Sequence, residues 1–92
     1  HTEVMDEAGF QAHRLNACGY SLGATFTPTW MDYPMFFHGN AEPIVAGMVL
    51  FLHMILMNSE DGYAMTLGET VQVAEAGAVR LSRHGTDLIV CD

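Results

Sequence analysis

The fold of this chain is decided by one apolar run, Gly47-Met48-Val49-Leu50-Phe51-Leu52-His53-Met54-Ile55-Leu56-Met57. Its apolar residues do not alternate with polar ones, so periodicity alone does not separate a strand buried on both faces from a buried helix. Gly47 before the run and the polar stretch Asn58–Gly62 after it bound a segment of strand length. The run therefore predicts a central strand, and a strand that is apolar on both faces needs something packed on each.

Length and charge restrict the classes of protein. The chain has 92 residues, which is one domain at most, and a domain of this size buries only about 60–65% of its unfolded surface. It has eleven acidic residues and only three Lys or Arg residues, giving a net charge of −8. No basic patch is available for phosphate backbones, so nucleic acid and an anionic membrane surface are poor candidates for a partner.

The chain's location is inferred from three observations. The apolar run is about half as long as a membrane-spanning helix. Cys18 and Cys91 lie outside any metal-type spacing and are compatible with a reducing compartment. The start at His1 has no secretory signal pattern and is typical of a segment cut from a longer chain or of a tag residue. We expect a cytoplasmic protein.

The remaining elements follow outward from the run and predict an α+β fold, with an N-terminal helix before a mostly antiparallel sheet. The helix is expected to run to Gly9, with Thr2 as its cap. Two prolines make the stretch Thr27–Pro34 an ordered loop, the usual location of binding groups. The predicted strands other than the apolar run are Tyr20–Phe26, Tyr63–Leu67, Thr70–Ala74, Ala78–Leu81 and a short piece at Leu88–Val90, with a tight turn at Glu75–Gly77.

A set of short motifs, in this order and spacing, resembles the C-terminal part of the pita-bread superfamily, which contains aminopeptidase P, methionine aminopeptidase, creatinase and ectoine hydrolase. The resemblance covers almost the whole chain. It implies that residues 1–92 are the C-terminal segment of a pita-bread catalytic domain with a curved sheet. The motifs are Glu7-Ala8-Gly9, Gly19-Tyr20-Ser21-Leu22-Gly23, Ala46-Gly47-Met48-Val49, Gly68-Glu69-Thr70-Val71 and Ala74-Glu75-Ala76-Gly77.

The resemblance also implies that the metal ligands of this superfamily are replaced. Tyr20 stands at the position of the ligand His, His53 at that of the first Glu, and Gly68 at that of the second, with Glu69 beside it. A one-residue shift of the alignment would restore Glu69 as a ligand, but one carboxylate does not make a dinuclear site. The expectation is therefore no metal and no cofactor.

Tyr20 together with the loop residues Pro28, Trp30 and Asp32 looks most like ectoine hydrolase and its relatives, which act on a C–N bond without metal. The resemblance implies that His53 and Tyr20 are catalytic residues. It also implies that Trp30, Asp32 and Glu69 bind the substrate. Under the resemblance, the nucleophile or acid is expected from the missing N-terminal part of the domain.

Each of these residues also has a purely structural interpretation, and the sequence leaves both open. His53 can be a satisfied core histidine, and Tyr20 can bury its ring on a strand with one partner for its hydroxyl. Trp30 can anchor the loop by packing, and Asp32 can be a turn residue.

Two functions remain from the sequence. The first is the C-terminal fragment of a metal-independent pita-bread hydrolase that acts on a C–N bond of a small zwitterionic substrate or a peptide, inactive by itself. The alternative is a non-catalytic, self-associating module with a degenerate peptidase fold. Under either, the doubly apolar strand predicts a homo-oligomer, with a dimer expected.

Overall fold

A computed structural model describes all 92 residues. One short helix precedes five strands, and the α+β class expected from the sequence is confirmed. The elements are α1 (Thr2–Glu7), β1 (Ala17–Ser21), β2 (Asp32–Phe37), β3 (Val49–Asn58), β4 (Tyr63–Ala74) and β5 (Gly77–Arg80).

The five strands form one open antiparallel sheet in the order β2-β1-β3-β4-β5. Its centre is the hairpin of β3 and β4, paired without interruption from Val49 opposite Gln72 to Asn58 opposite Tyr63. Gly62 closes this hairpin with a φ of +73°, a conformation that glycine adopts without steric cost. The apolar run is thus a central strand, as predicted.

The two faces of the β3–β4 hairpin are buried to different extents. Residues directly opposite in register share a face, which defines an inner face containing Leu50 and an open face containing Phe51. The inner face contains every fully buried residue of the hairpin: Leu50, Leu56, Asn58, Glu69 and Val71. The open face contains none, and its β3 residues are Val49, Phe51, His53, Ile55 and Met57. The expectation of burial on both faces is therefore wrong for this chain alone.

The predictions for the segment before β3 need two corrections. The strand predicted at Tyr20–Phe26 is β1, which begins earlier, at Ala17, and ends at Ser21, where its pairing with β2 is irregular. The predicted loop Thr27–Pro34 is a loop only to Met31, because Asp32 begins β2. Since β2 is an edge strand, Pro34 is tolerated there despite having no N–H to donate.

The chain ends also differ in detail from the prediction. His1 rather than Thr2 is the residue before the helix, and no side chain caps it. Gly9, with a φ of +86°, follows the helix as expected, and none of the helical residues is fully buried. Leu88–Val90 form no strand and are exposed. No helix here has the length and apolarity that crossing a membrane requires.

Candidate functional site

Three aromatic rings meet on the open face of the sheet. Tyr20 of β1 lies directly opposite Phe51 of β3, and His53 follows two residues later on the same face. The His53 ring centroid lies 5.1 Å from that of Phe51 and 6.2 Å from that of Tyr20, with the Tyr20 and His53 rings nearly perpendicular. The strand register therefore brings together the two residues that the sequence singled out as catalytic.

Trp30 joins this cluster through a hydrogen bond. Its indole Nε1 donates to the Tyr20 hydroxyl oxygen at 2.9 Å. Tyr20 is only 5% exposed, whereas Trp30 is 60% exposed, so the indole is at the solvent side of the pair. One of the three predicted substrate-binding residues thus lies at the predicted catalytic pair.

Phe51 belongs to the same cluster, although the sequence analysis did not select it. A Cβ atom at Gly68 would lie 2.6 Å from the Phe51 Cζ atom, so the ring occupies the space above a glycine. The signal was available, because Phe51 and His53 are two residues apart in a strand and must share a face. We refer to Tyr20, Trp30, Phe51 and His53 as the aromatic cluster.

Glu69, a predicted substrate-binding residue, is not brought to the aromatic cluster. It lies opposite Leu52 on the inner face and is almost fully buried. Arg80 Nε donates to its Oε2 at 2.8 Å, and the Ser82 N–H donates to Oε1 at 3.4 Å. Hydrogen bonding to Ser82 and to Arg80 holds the pKa of this carboxyl below its ordinary value of 4.5. These contacts make Glu69 a structural anion that ties β5 and the following turn to β4.

Asp32 is also directed elsewhere. It begins β2 opposite Ser21, and Ser21 in turn lies opposite the inner-face residue Leu50. Its Oδ1 atom accepts a hydrogen bond from the Tyr33 N–H at 2.8 Å, an arrangement typical of an aspartate that fixes local backbone. Its structural interpretation therefore has direct support.

A separate cleft of about 370 Å³ lies between the start of α1 and β2. No member of the aromatic cluster lines it. Cys18 does, and partial burial raises the pKa of its thiol, which disfavours the reactive thiolate. The sequence carried no signal for this cleft, because its walls come from distant segments. They include His1, Glu3, Phe36, His38, Glu42 and Met48.

The remaining chemistry of the chain is limited. No group of three or more His, Cys, Asp or Glu side chains is arranged to hold a metal ion. The aromatic cluster can offer a hydroxyl donor, an imidazole and ring faces, which suits a small polar or cationic molecule. No family model, curated protein or solved structure matches this chain.

Proposed function

We propose that this chain supplies one wall of the substrate site in a metal-independent hydrolase of the pita-bread type, which acts on a C–N bond of a small zwitterionic substrate or a peptide. The observation that carries the proposal is the aromatic cluster. Tyr20, Trp30 and His53, which are far apart in sequence, meet on one face through a hydrogen bond and ring contacts.

The hydrogen bond inside the cluster prepares the Tyr20 hydroxyl for a bound molecule. Trp30 Nε1 uses one lone pair of the hydroxyl oxygen, and the O–H proton remains available to donate. A donor in this position suits a substrate carboxylate or a carbonyl oxygen on which negative charge develops. Trp30 is 60% exposed, and an accessible indole suits the cationic end of the same zwitterion.

His53 is the residue that can move a proton. Its ring is half-buried and contacts the rings of Phe51 and Tyr20. An imidazole positioned by ring contacts keeps its nitrogens available to act as general base or to orient a substrate group. A His53 that served only the core would be expected on the inner face with its nitrogens hydrogen-bonded, as Asn58 and Glu69 are there.

The cluster is half of a site. The two predicted acidic partners, Asp32 and Glu69, are engaged elsewhere, so no carboxylate of this predicted set can orient His53 or act as nucleophile. We therefore propose that the nucleophile or acid comes from outside this chain and that the chain alone is inactive.

Binding tests the proposal more directly than turnover, because Trp30 is the chain's one tryptophan. Its emission should change saturably when small zwitterions such as glycine betaine and creatine are titrated, and urea of equal concentration should have no such effect. Tyr20→Phe and His53→Ala should raise the dissociation constant obtained from this titration about tenfold or more. Thr66→Ser, a conservative change at an exposed open-face position, is the matched control. No response to any zwitterion, or equal responses in all variants, would contradict the proposal.

A second candidate, the non-catalytic self-associating module, is favoured by a different observation. The chain exposes 7057 Å² of surface, whereas a compact monomer of its mass exposes about 5,300 Å². If the zwitterion titration fails while the chain still self-associates, this function replaces the first.

A further inference from the structure

The chain exposes more surface than a closed monomer does. Its excess over the area expected for its mass is about 1,800 Å², and its radius of gyration is 14.7 Å, against about 12 Å for a compact chain of this length. Obligate homodimers bury about 2,000–5,000 Å² in total. The excess per chain is therefore of the size that one subunit of such a dimer covers.

Part of this uncovered surface lies on the open face, and the rest lies on the loops, the C-terminal residues and the outer end of the inner face. The open face contains no fully buried residue of β3 or β4, and Met57 and Val79 on it are about half exposed, at 51% and 49%. On β4 the residues of this face are small or uncharged and mostly exposed: Ala64, Thr66, Gly68, Thr70, Gln72 and Ala74. The face is thus mainly apolar along β3 and accessible along β4.

Charge is absent from this face, although the chain is strongly acidic. None of the eleven acidic residues or the three Arg residues falls on the open face of β3, β4 or β5. Two copies with a net charge of −8 each repel, and this repulsion is smallest where neither copy presents a carboxylate. A highly charged partner would find no complementary charge here. Charge pattern and area together favour a second copy as the occupant.

We propose that two copies of this chain pack open face to open face about a two-fold axis, and that the second copy forms the opposite wall of the site containing Tyr20 and His53. In an isologous contact the same patch serves both partners, which suits one uncharged face. The contact itself rests on area, burial and charge, whereas its role in closing the site rests on the proposed function.

Two methionines provide a matched test of the contact. Met57 is 51% exposed on the open face, and Met65 is 56% exposed on the inner face of the neighbouring strand. Met57→Lys and Met65→Lys change the same residue type at similar exposure and reduce the net negative charge equally. A difference in dimerisation between the two variants therefore cannot come from net charge. It would come from the face of the sheet on which the lysine lies.

The measurement is sedimentation equilibrium of the full 92-residue chain without ligand. We expect wild type to have twice the 10.1 kDa mass of the chain and Met65→Lys to remain dimeric. Met57→Lys should raise the dissociation constant about tenfold or more, because a charge would be buried in an apolar contact. Circular dichroism checks the fold, and Thr66→Lys, also on the open face, replaces Met57→Lys if that variant unfolds.

Three results would contradict the proposal or one of its parts. A wild type that is monomeric at 100 µM would overturn the proposal. A dimer that Met65→Lys weakens as much as Met57→Lys does would overturn the choice of face. Added NaCl should tighten the dimer by screening the repulsion between two acidic chains, and weakening by salt would contradict an apolar contact.

Ligand binding separates this inference from the proposed function. A dimer of the expected kind that shows no Trp30 response to zwitterions would leave the contact standing and remove its role in the site. A monomer with a saturable Trp30 response would do the reverse.

Discussion

Polar residues on the two faces of the sheet differ in how they are satisfied. On the inner face, Glu69 is bound by Arg80, and Asn58 donates to Asp61 at 2.8 Å and accepts from its backbone N–H at 2.9 Å. On the open face, His53 is packed against rings. A buried polar group without a partner is costly, so satisfied polar groups mark the part of the sheet that stabilises the chain. The two faces therefore differ in whether their polar side chains are hydrogen-bonded within the chain or packed against rings.

Truncation of an apolar side chain should lower the free energy of unfolding much more on the inner face than on the open face. Leu50 is 2% exposed on the inner face, and Leu50→Ala should lower the free energy of unfolding by about 2–5 kcal/mol through lost burial and a cavity. Met57→Ala on the open face should cost less than about 1 kcal/mol in the monomer. Urea unfolding at low protein concentration measures both. Equal losses would show that the faces are equally packed.

A glycine-to-alanine substitution should also cost more stability on the inner face than on the open face. A Cβ at Gly19, on the inner face, would lie 2.5 Å from the Phe51 carbonyl oxygen, which is backbone. Gly19→Ala should therefore cost about 1–3 kcal/mol or more. At Gly68, on the open face, the obstacle is the Phe51 ring, which can rotate away.

Gly68→Ala should therefore be milder than Gly19→Ala but should disturb the aromatic cluster. The readouts are the melting temperature for both variants and the Trp30 response to zwitterions for Gly68→Ala. If Gly68→Ala were less stable than Gly19→Ala, the Phe51 ring would not be the more yielding of the two obstacles, and the prediction would be wrong.

Acid should weaken the inner face through Glu69. The pKa of this carboxyl in the folded chain lies below its ordinary value of 4.5. Ionised Glu69 therefore contributes its full stabilisation of the fold above about pH 4.5. This stabilisation is lost as the pH falls through the folded pKa. Glu69→Gln should lower the melting temperature near neutral pH and flatten its decline below pH 4.5. Glu75→Gln, in an exposed turn, is the control and should leave the profile unchanged.

Removing the imidazole should change function more than stability. His53→Ala should shift the melting temperature by only a few degrees, because the side chain is half-buried and packs against the rings of Phe51 and Tyr20. In the intact hydrolase that we propose, it should lower turnover by about ten- to a thousand-fold. His38→Ala, at an exposed position, should change neither quantity. Loss of folded protein in His53→Ala would assign the residue to the core.

Removing metal should have the smallest effect of all. Neither face gathers three potential ligands, and we expect elemental analysis to find well below one Fe, Mn, Co or Zn per purified chain. Incubation with EDTA should leave the melting temperature unchanged. One metal ion per chain, removable by the chelator, would contradict the expectation of a metal-free chain.

Several elements could be predicted because their causes are local. The run at residues 47–57 has strand length between a glycine and a polar turn, and it forms β3. The turn at Glu75–Gly77 was likewise readable, and Gly77 has a φ of +129°. β2 was missed because two prolines argue against a central strand. They do not argue against an edge strand, and edge position is decided by the whole sheet.

The grouping of residues in the candidate site could be predicted only in part, for the same reason. Tyr20, Trp30 and His53 were selected from the sequence, and the structure places them together. Glu69 was selected too, yet it lies on the inner face with Arg80. Along β4 the alternation of side chains is readable, but which alternate set shares a face with His53 depends on the pairing of β3 with β4. A one-residue slip would have exchanged the two sets.

Residue types and their near neighbours were enough to predict the central strand β3, the glycine turns at Gly62 and Gly77, and an acidic chain with few cations. Only the tertiary structure decided that Phe51 lies over Gly68, that Glu69 and His53 lie on opposite faces, and that the carboxylates are absent from the open face. Strand register and strand order decide these properties, because a side chain in a sheet takes its neighbours from other strands rather than from its own.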